Sequence, residues 1–330
     1  MADTPDPAPY YQLGPETVLA AVESCGYPAD GHFLALNSYE NRVYQIGVED
    51  GPPLVAKFYR PGRWSDAAIL EEHGFALELA EHEIPVVAPL ADAAGCTLHS
   101  HQGFRFALFP RRGGRWPELD LRDNRRWLGR YLGRIHAVGA VGPFRHRPAL
   151  DVEHFGRASA RFLLEEGFIP AHVEEAYRTL SEELLARIEE RFAGLTGLRR
   201  LRLHGDCHRG NILWTDSGPH FVDLDDARTG PAIQDLWMLL SGDREEMTVQ
   251  LADIIEGYRA FFDFDPAELG LIEPLRTLRL MHYAAWLARR WVDPAFPRAF
   301  PWFASPRFWE EHVLTLREQA AALDEPPLAL

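Results

Sequence analysis

The chain has 330 residues, 46% of them hydrophobic and 25% charged, with 34 basic against 49 acidic side chains and a formal charge of −15. That composition suits a folded chain long enough for two cores and excludes a disordered one. The acidic balance also argues against nucleic acid or an anionic membrane as the main partner.

The first residues, MADTPDPAPYYQLG, contain neither a basic n-region nor an apolar h-region, and no later stretch reaches 18 uninterrupted apolar residues. A cytoplasmic, monomeric protein that binds no membrane is therefore expected. Cys25, Cys96 and Cys207 are scattered and form no C-x-x-C pair, which removes a disulfide framework or a cysteine-built zinc site from consideration. Up to about residue 110 the chain is mixed: HFLAL, RVYQIGV, PLVAKFY and FRFALF are short β-branched or aromatic runs bounded by Gly, Pro and Asn. Between the third and fourth lies WSDAAILEEHGFALELAEHE, where Ile69, Leu70, His73, Leu77 and Ala80 recur at helical spacing and Ser65 is placed to cap. From about residue 118 the periodicity is helical almost throughout, interrupted by one polar insert, residues 201–240, in which NILW and HFVDL look like short strands. The expected plan is α+β and bilobal: a small mixed lobe over 1–110, a short connection near PRRGGR, and a larger helical lobe over 111–330.

The insert carries the chemistry. Asp206 and Asn211 are five positions apart in HGDCHRGN, and Asp223 follows after a turn in FVDLDD. Phosphoryl transfer from ATP needs one carboxylate to orient the attacking hydroxyl and accept its proton. It also needs hard oxygen donors, here Asn211 and Asp223, to hold Mg²⁺ against the phosphate oxygens. It further needs a lysine on a strand, paired with a glutamate from the next helix. Lys57, in LVAKFYRPG, is the only lysine in the chain; the other 33 basic residues are arginine. A compact ammonium fits a narrow phosphate slot that the wide guanidinium fork does not, so a drift towards arginine would spare that one position.

These motifs carry a resemblance. LHGDCHRGNILW followed by FVDLDDA resembles the catalytic loop of the aminoglycoside phosphotransferase and choline kinase superfamily, a branch of the protein-kinase-like fold. ALNSYENRVYQIG, VAKFYRPGRW, ILEEHGFALEL, FPRRGGR, VDLDDARTGPAIQDLWML and RRWVDPAFPRAFPWF are similar to the bacterial stress response kinase A family, from about residue 8 to 320. The resemblance implies a cytoplasmic, Mg²⁺- and ATP-dependent serine/threonine protein kinase acting on protein substrates, itself among them by autophosphorylation. It makes Asp206 the catalytic base, Asn211 and Asp223 the metal ligands, Lys57 the phosphate-binding lysine and Ser38 a nucleotide contact in the first loop. The glutamate partner of Lys57 is Glu71 or Glu72; Glu72 is favoured because Phe75 and Leu79 follow it at helical spacing. The first loop lacks G-x-G-x-x-G, HGD stands for H-R-D, and DLD for D-F-G, so no phosphorylation-driven activation loop is expected.

For the adenine, the fold uses a backbone carbonyl and, two residues on, a backbone N–H. With Leu108 lining the back of the pocket these come from Phe109 and Arg111, Pro110 falling where no donor is needed, and a shift by one would put the proline at the donor. Other polar residues are given plainer roles. His204 is read as structural; His208 either touches the γ-phosphate or is a solvated turn residue; Asp225 and Asp226 are read as a helix-entry cap and a solvated charge. Trp286, Trp291, Trp302 and Trp309 are read as core rather than a substrate platform. Two alternatives stay open: a small-molecule kinase of the aminoglycoside, choline or sugar-alcohol type, and a metallohydrolase built on His204, Asp206, His208 and Asp223, in which Cys207 would join the histidines as a zinc ligand.

Overall fold

The computed structural model describes residues 10–330; the opening nine, on which part of the targeting argument rests, lie outside the described residues. Helix α1 (Pro15–Ser24) precedes strands β1 (Ala29–Leu36), β2 (Arg42–Val48) and β3 (Leu54–Phe58), helix α2 (Asp66–Glu81), and strands β4 (His99–His101) and β5 (Phe104–Pro110). The strands form one antiparallel sheet in the order β1-β2-β3-β5-β4, with Lys57 opposite Val43 on one side and Ala107 on the other. Alternation divides the sheet. Leu54, Ala56, Phe58, Phe106 and Leu108 face Val18, Ala21 and Val22 of α1, while the opposite face meets α2 and the cleft. Ser65 caps α2 as expected, its Oγ accepting from the Ala68 N–H at 3.2 Å.

The remainder is the helical lobe: α3 (Arg122–Gly139), α4 (Ala158–Glu165), α5 (Ala171–Ala193), α6 (Ile233–Trp237), α7 (Arg244–Tyr258), α8 (Ile272–Arg290), α9 (Ala295–Ala299) and α10 (Pro306–Ala322). The polar insert lies between α5 and α6 as two strand pairs, β6 (Leu201–Leu203) with β9 (Arg228–Gly230), and β7 (Ile212–Thr215) with β8 (Gly218–Phe221). The segment after α2 straps the lobes together: the Phe221 N–H donates to the Pro85 carbonyl and the Val87 N–H to the Phe221 carbonyl. Phe75, Ala76, Leu79 and Ile84 continue that strap into the core of the helical lobe. No helix among the described residues is long and apolar enough to cross a membrane.

Beneath the insert, α3 and α7 cross at van der Waals contact of their backbones, which glycines permit. A Cβ on Gly129 would stand 1.9 Å from the Ile254 carbonyl oxygen, and one on Gly257 would stand 2.0 Å from that of Arg126. The crossing matters to the site because Tyr258, at the end of α7, bonds His136 of α3 at 2.8 Å, and His136 supports the insert. Gly129→Ala must push two backbones apart; overpacking of that kind costs about 3 kcal/mol. A urea midpoint well below that of the unmodified protein is expected, and an unchanged midpoint would show that the crossing yields freely.

Candidate active site

Val55 and Lys57 point from β3 into the cleft. The Lys57 Nζ is buried and lies 3.0 Å from Asp223 Oδ1, 3.2 Å from Asp225 Oδ1 and 3.5 Å from Glu72 Oε1. Burial alone would drive an ammonium towards neutrality. The three carboxylates outweigh it and hold the amine protonated, well above its ordinary pKa.

The structure separates the two candidate glutamates. Glu72 faces Lys57 from α2, buried, with the Arg147 guanidinium 3.6 Å from its second oxygen. Glu71 turns the other way and accepts the backbone N–H groups of Arg145, His146 and Arg147 at 2.6, 2.7 and 3.0 Å. It anchors a loop of the helical lobe.

Asp225 and Asp226 correct the sequence reading. They form a short 3₁₀ turn after Asp223, and both are ion-paired rather than solvated. Arg63 reaches Asp225 through one nitrogen and Asp226 through another at 2.9 Å, and Arg228 lies 2.6 Å from Asp226. Burial works against ionising Asp225, but Arg63 and Lys57 prevail and hold its carboxyl below the usual range. Arg147 donates to the carbonyls of Asp225 and Ala227, fastening the turn from below.

The loop before Asp206 hangs from one residue that the sequence reading passed over. Asp235 of α6 is fully buried; its carboxylate accepts the backbone N–H groups of His204 and Gly205, each at 2.9 Å, and pairs with His136 at 3.0 Å. Gln234 adds a bond to the Gly205 carbonyl at 3.1 Å. Gly205 sits at φ +82, and a Cβ there would stand 2.1 Å from the Asp226 carbonyl oxygen, so only glycine fits. A carboxylate inside the apolar run AIQDLWMLL was the available signal, since a buried charge in such a run must have partners. His204 is structural as expected: its Nε2 donates to the Val222 carbonyl at 2.9 Å.

Asp206 opens towards the cleft, its Oδ1 2.7 Å from Arg279 Nη1 and its Oδ2 3.5 Å from His208 Nε2. Burial opposes its ionisation, yet His208 and Arg279 keep its carboxyl well below the ordinary value. Asn211 spends its amide nitrogen on the Asp206 carbonyl at 3.0 Å, which leaves Oδ1 for another partner. Asp223 takes the left-handed conformation, φ 59, at the exit of β8 and turns its carboxylate into the same space. Those leftover donors are hard oxygens that suit Mg²⁺. A zinc set finds no such support: the Cys207 thiol is buried with its pKa pushed up by desolvation, and His204 Nε2 is already engaged.

Two cavities meet here. The first, about 380 Å³, is walled by Leu36, Val43, Val55, Ala76, Val87, Phe109 and Leu213, with Lys57 and Glu72 at its inner end. The second, about 470 Å³, lies between Asp206 and helix α8 and is lined by Arg279, Tyr283 and Trp286. Ser38, Asn211 and Asp223 belong to both. Trp286 is thus a wall residue, Trp302 is exposed, and Trp309 is core, so the tryptophan stripe does not act as one unit. The loop carrying Ser38 is clasped to the helical lobe through Glu40, which accepts from Trp286 Nε1, from Arg290 at 3.0 Å and from Arg60 at 3.0 Å.

The phase of β5 bears on the Phe109 carbonyl and Arg111 N–H expected for the adenine. The Arg105 carbonyl accepts from the Tyr59 N–H, so antiparallel alternation turns the carbonyls of Ala107 and Phe109 towards β3. Those of Leu108 and Pro110 face away, Leu108's accepting from Leu90. Leu108 is buried in the α1 core; Phe109, Pro110 and Arg112 line the cavity, and Arg111 is exposed outside it. The Phe109 carbonyl thus faces the β3 ladder and the Pro110 carbonyl does not, and Pro110 and Arg112 both stand in the cavity wall.

A family model described as Phosphotransferase enzyme family matches residues 32–272. Stress response kinase A of Escherichia coli (strain K12) is 50% identical over 321 residues, 97% of either chain. The chain belongs to the stress response kinase A branch of the phosphotransferase enzyme family. Another member, named serine/threonine protein kinase RdoA, from Salmonella typhimurium (strain LT2), is also 50% identical, over 97% of both chains. The wider phosphotransferase fold extends to amicoumacin kinase hAmiN, solved in complex with AMP-PNP, Ca²⁺ and Ami: TM-score 0.67 at 20% identity, over 87% of this chain and 89% of that one.

Glu268 offers a pH test of the support beneath this phosphotransferase site. Its carboxylate accepts the Ile233 N–H at the start of α6, at 2.9 Å, and burial pushes its pKa up to about 7. A group whose folded pKa lies above its unfolded value contributes stability that is complete below about pH 4.5 and lost as pH rises through 7. Glu268→Gln keeps the acceptor and removes the charge, so it should be more stable than the parent by roughly 2–3 kcal/mol at pH 8 and about equal to it near pH 4.5. Parallel pH–stability curves for the two proteins would contradict this.

Proposed function

We propose that the chain is a serine/threonine protein kinase of the stress response, using Mg²⁺ and ATP, with residues 1–110 as the ATP-binding lobe and 111–330 as the catalytic and substrate lobe. The observation that carries this is the meeting of the two cavities at Asn211 and Asp223, with Lys57 on one side and Asp206 on the other. The first cavity takes the nucleotide: apolar walls for the base, the Pro110 carbonyl and Arg112 N–H for its polar edge, Ser38 and Lys57 for the phosphates. Glu72 orients Lys57. Asn211 Oδ1 and the Asp223 carboxylate would hold Mg²⁺, whose charge offsets that of the phosphate oxygens during transfer. The second cavity takes the acceptor. Its hydroxyl oxygen bonds to the γ-phosphorus, the bond from that phosphorus to the β–γ bridging oxygen breaks, ADP leaves with the electron pair, and the proton passes to Asp206. The protein acceptor class follows the names of the half-identical relatives.

Asp206→Asn should fold, bind Mg·ATP as before, and transfer phosphate to a generic protein acceptor about 10²-fold more slowly or worse. Asn211→Ala and Asp223→Ala should weaken productive Mg·ATP binding, Asp223→Ala the more because it removes a full charge. Undiminished turnover in Asp206→Asn, or an unchanged metal dependence in the other two, would refute the assignments.

Lys57 gives a test that needs no acceptor. An acylating ATP analogue directed at lysine amines has one side chain to modify, and Mg·ATP should protect it, as read by peptide mass analysis. Lys57→Arg should be nearly as inactive as Lys57→Ala, because the pocket formed by Glu72, Asp223 and Asp225 closes on a single nitrogen. Labelling indifferent to ATP would place Lys57 outside the nucleotide site.

A further inference from the structure

The acceptor cavity contains many carboxylates, yet each is already neutralised by the chain itself. Glu40 is bound by Arg290 and Arg60, Asp206 by Arg279, Asp223 by Lys57, Asp225 by Lys57 and Arg63, and Asp226 by Arg63 and Arg228. A cationic acceptor, such as an amino sugar or a quaternary amino alcohol, would find only carboxylates that the chain already pairs or, at Asp223, that the metal would take. The unsatisfied charge is of the other sign. Arg279 stands on the cavity side of α8 with its side chain 44% exposed, and only Nη1 is engaged, on Asp206 at 2.7 Å and more distantly on the Met238 sulfur. Among the described residues its Nη2 and Nε have no hydrogen-bond partner. Tyr283, one turn further along α8, and Trp286 continue the same wall and stack on each other at 5.7 Å.

Resting on the kinase reading above, we propose that Arg279 selects the acceptor by binding an anionic group beside its hydroxyl, so that the protein acceptor is a serine or threonine flanked by aspartate or glutamate. The guanidinium is one hydrogen bond from the carboxylate that receives the hydroxyl proton. A second anion bound at Nη2 and Nε would therefore bring its neighbouring hydroxyl to Asp206, with the fork geometry that guanidinium offers to carboxylate. An ammonium beside the hydroxyl would meet Arg279 at the same short range and be repelled.

The test uses the full chain with Mg²⁺ and γ-labelled ATP. Two serine peptides differ only in carrying aspartates or arginines around the serine, and two small alcohols, a hydroxy acid and choline, are run beside them. The acidic peptide should be favoured over the basic one by about tenfold or more in kcat/KM. Arg279→Glu should invert that ratio and Arg279→Lys should retain part of it. Because the ratio is taken within each variant, changes in folded fraction or in the basicity of Asp206 cancel. Label on the hydroxy acid but on neither peptide would uphold the anionic acceptor and sink the protein-kinase reading. Equal use of both peptides, a ratio unmoved in Arg279→Glu, or preferential labelling of choline would overturn the proposal while leaving phosphotransfer intact. No label on any acceptor, or on the protein itself, would overturn both.

Discussion

The structure is organised around the solvation of buried negative charge. Glu72 and Asp225 are buried, Asp226 is half-buried and Asp223 opens to the cleft, and all four converge from one helix and one turn in a chain already carrying an excess of acid. Left alone, such a group would protonate or push its elements apart. The ammonium of Lys57 prevents this by touching three of the four at once, and so couples strand β3, helix α2 and the Asp223–Asp226 turn through a single atom. Arginines complete the neutralisation from the periphery: Arg63 and Arg228 on the turn, Arg147 beneath it. The division of labour follows from shape. The guanidinium of Arg63 meets its carboxylates through separate nitrogens, whereas the ammonium of Lys57 meets three through one.

A second buried carboxylate does the same for the backbone. Asp235 accepts two consecutive N–H groups at the entry to the catalytic turn and is itself held by His136, which Tyr258 holds in turn. The loop that presents Asp206 is thereby referred to α3 and α7, whose glycine crossing sets their spacing. The loop that carries Asp206 thus stands on packed helices, the arrangement that positions reacting groups to within a fraction of an ångström. The other side of the site is closed differently. Glu40 ties the Ser38 loop to Trp286 and Arg290, and Arg60 continues the tie to Asp293 at 2.8 Å, so the loop is clasped by charge to the wall of the second cavity.

Much of the site was legible because its signals are local. Asp206 and Asn211 lie within one loop, Asp223 one hairpin later, and Lys57 declares itself by being the only lysine. Glu72 could be preferred over Glu71 because helical spacing decides which of two neighbours faces a core. The misreadings share a cause. Asp225 and Asp226 look like solvated turn charges until Arg63, more than 160 residues away, is seen upon them. Asp235 was passed over because its partners at 204 and 205 lie some thirty residues before it. The phase of β5 is not legible in FALFP itself, because which way each carbonyl turns depends on the neighbour it meets, and that is set by β3 and by Leu90.

The amino-acid sequence by itself determined the bilobal α+β plan, the motif residues that meet in the cleft and the family, since helical and strand periods, turn chemistry and motif spacing are properties of short windows. Tertiary structure alone decided which carboxylates are buried, which arginines neutralise them, where the two cavities join, and that Arg279 stands beside Asp206 in the wall of the second. Those are sums over charges brought together from distant parts of the chain, and electrostatic energy depends on distance in space and on access of water, neither of which is written in the order of residues.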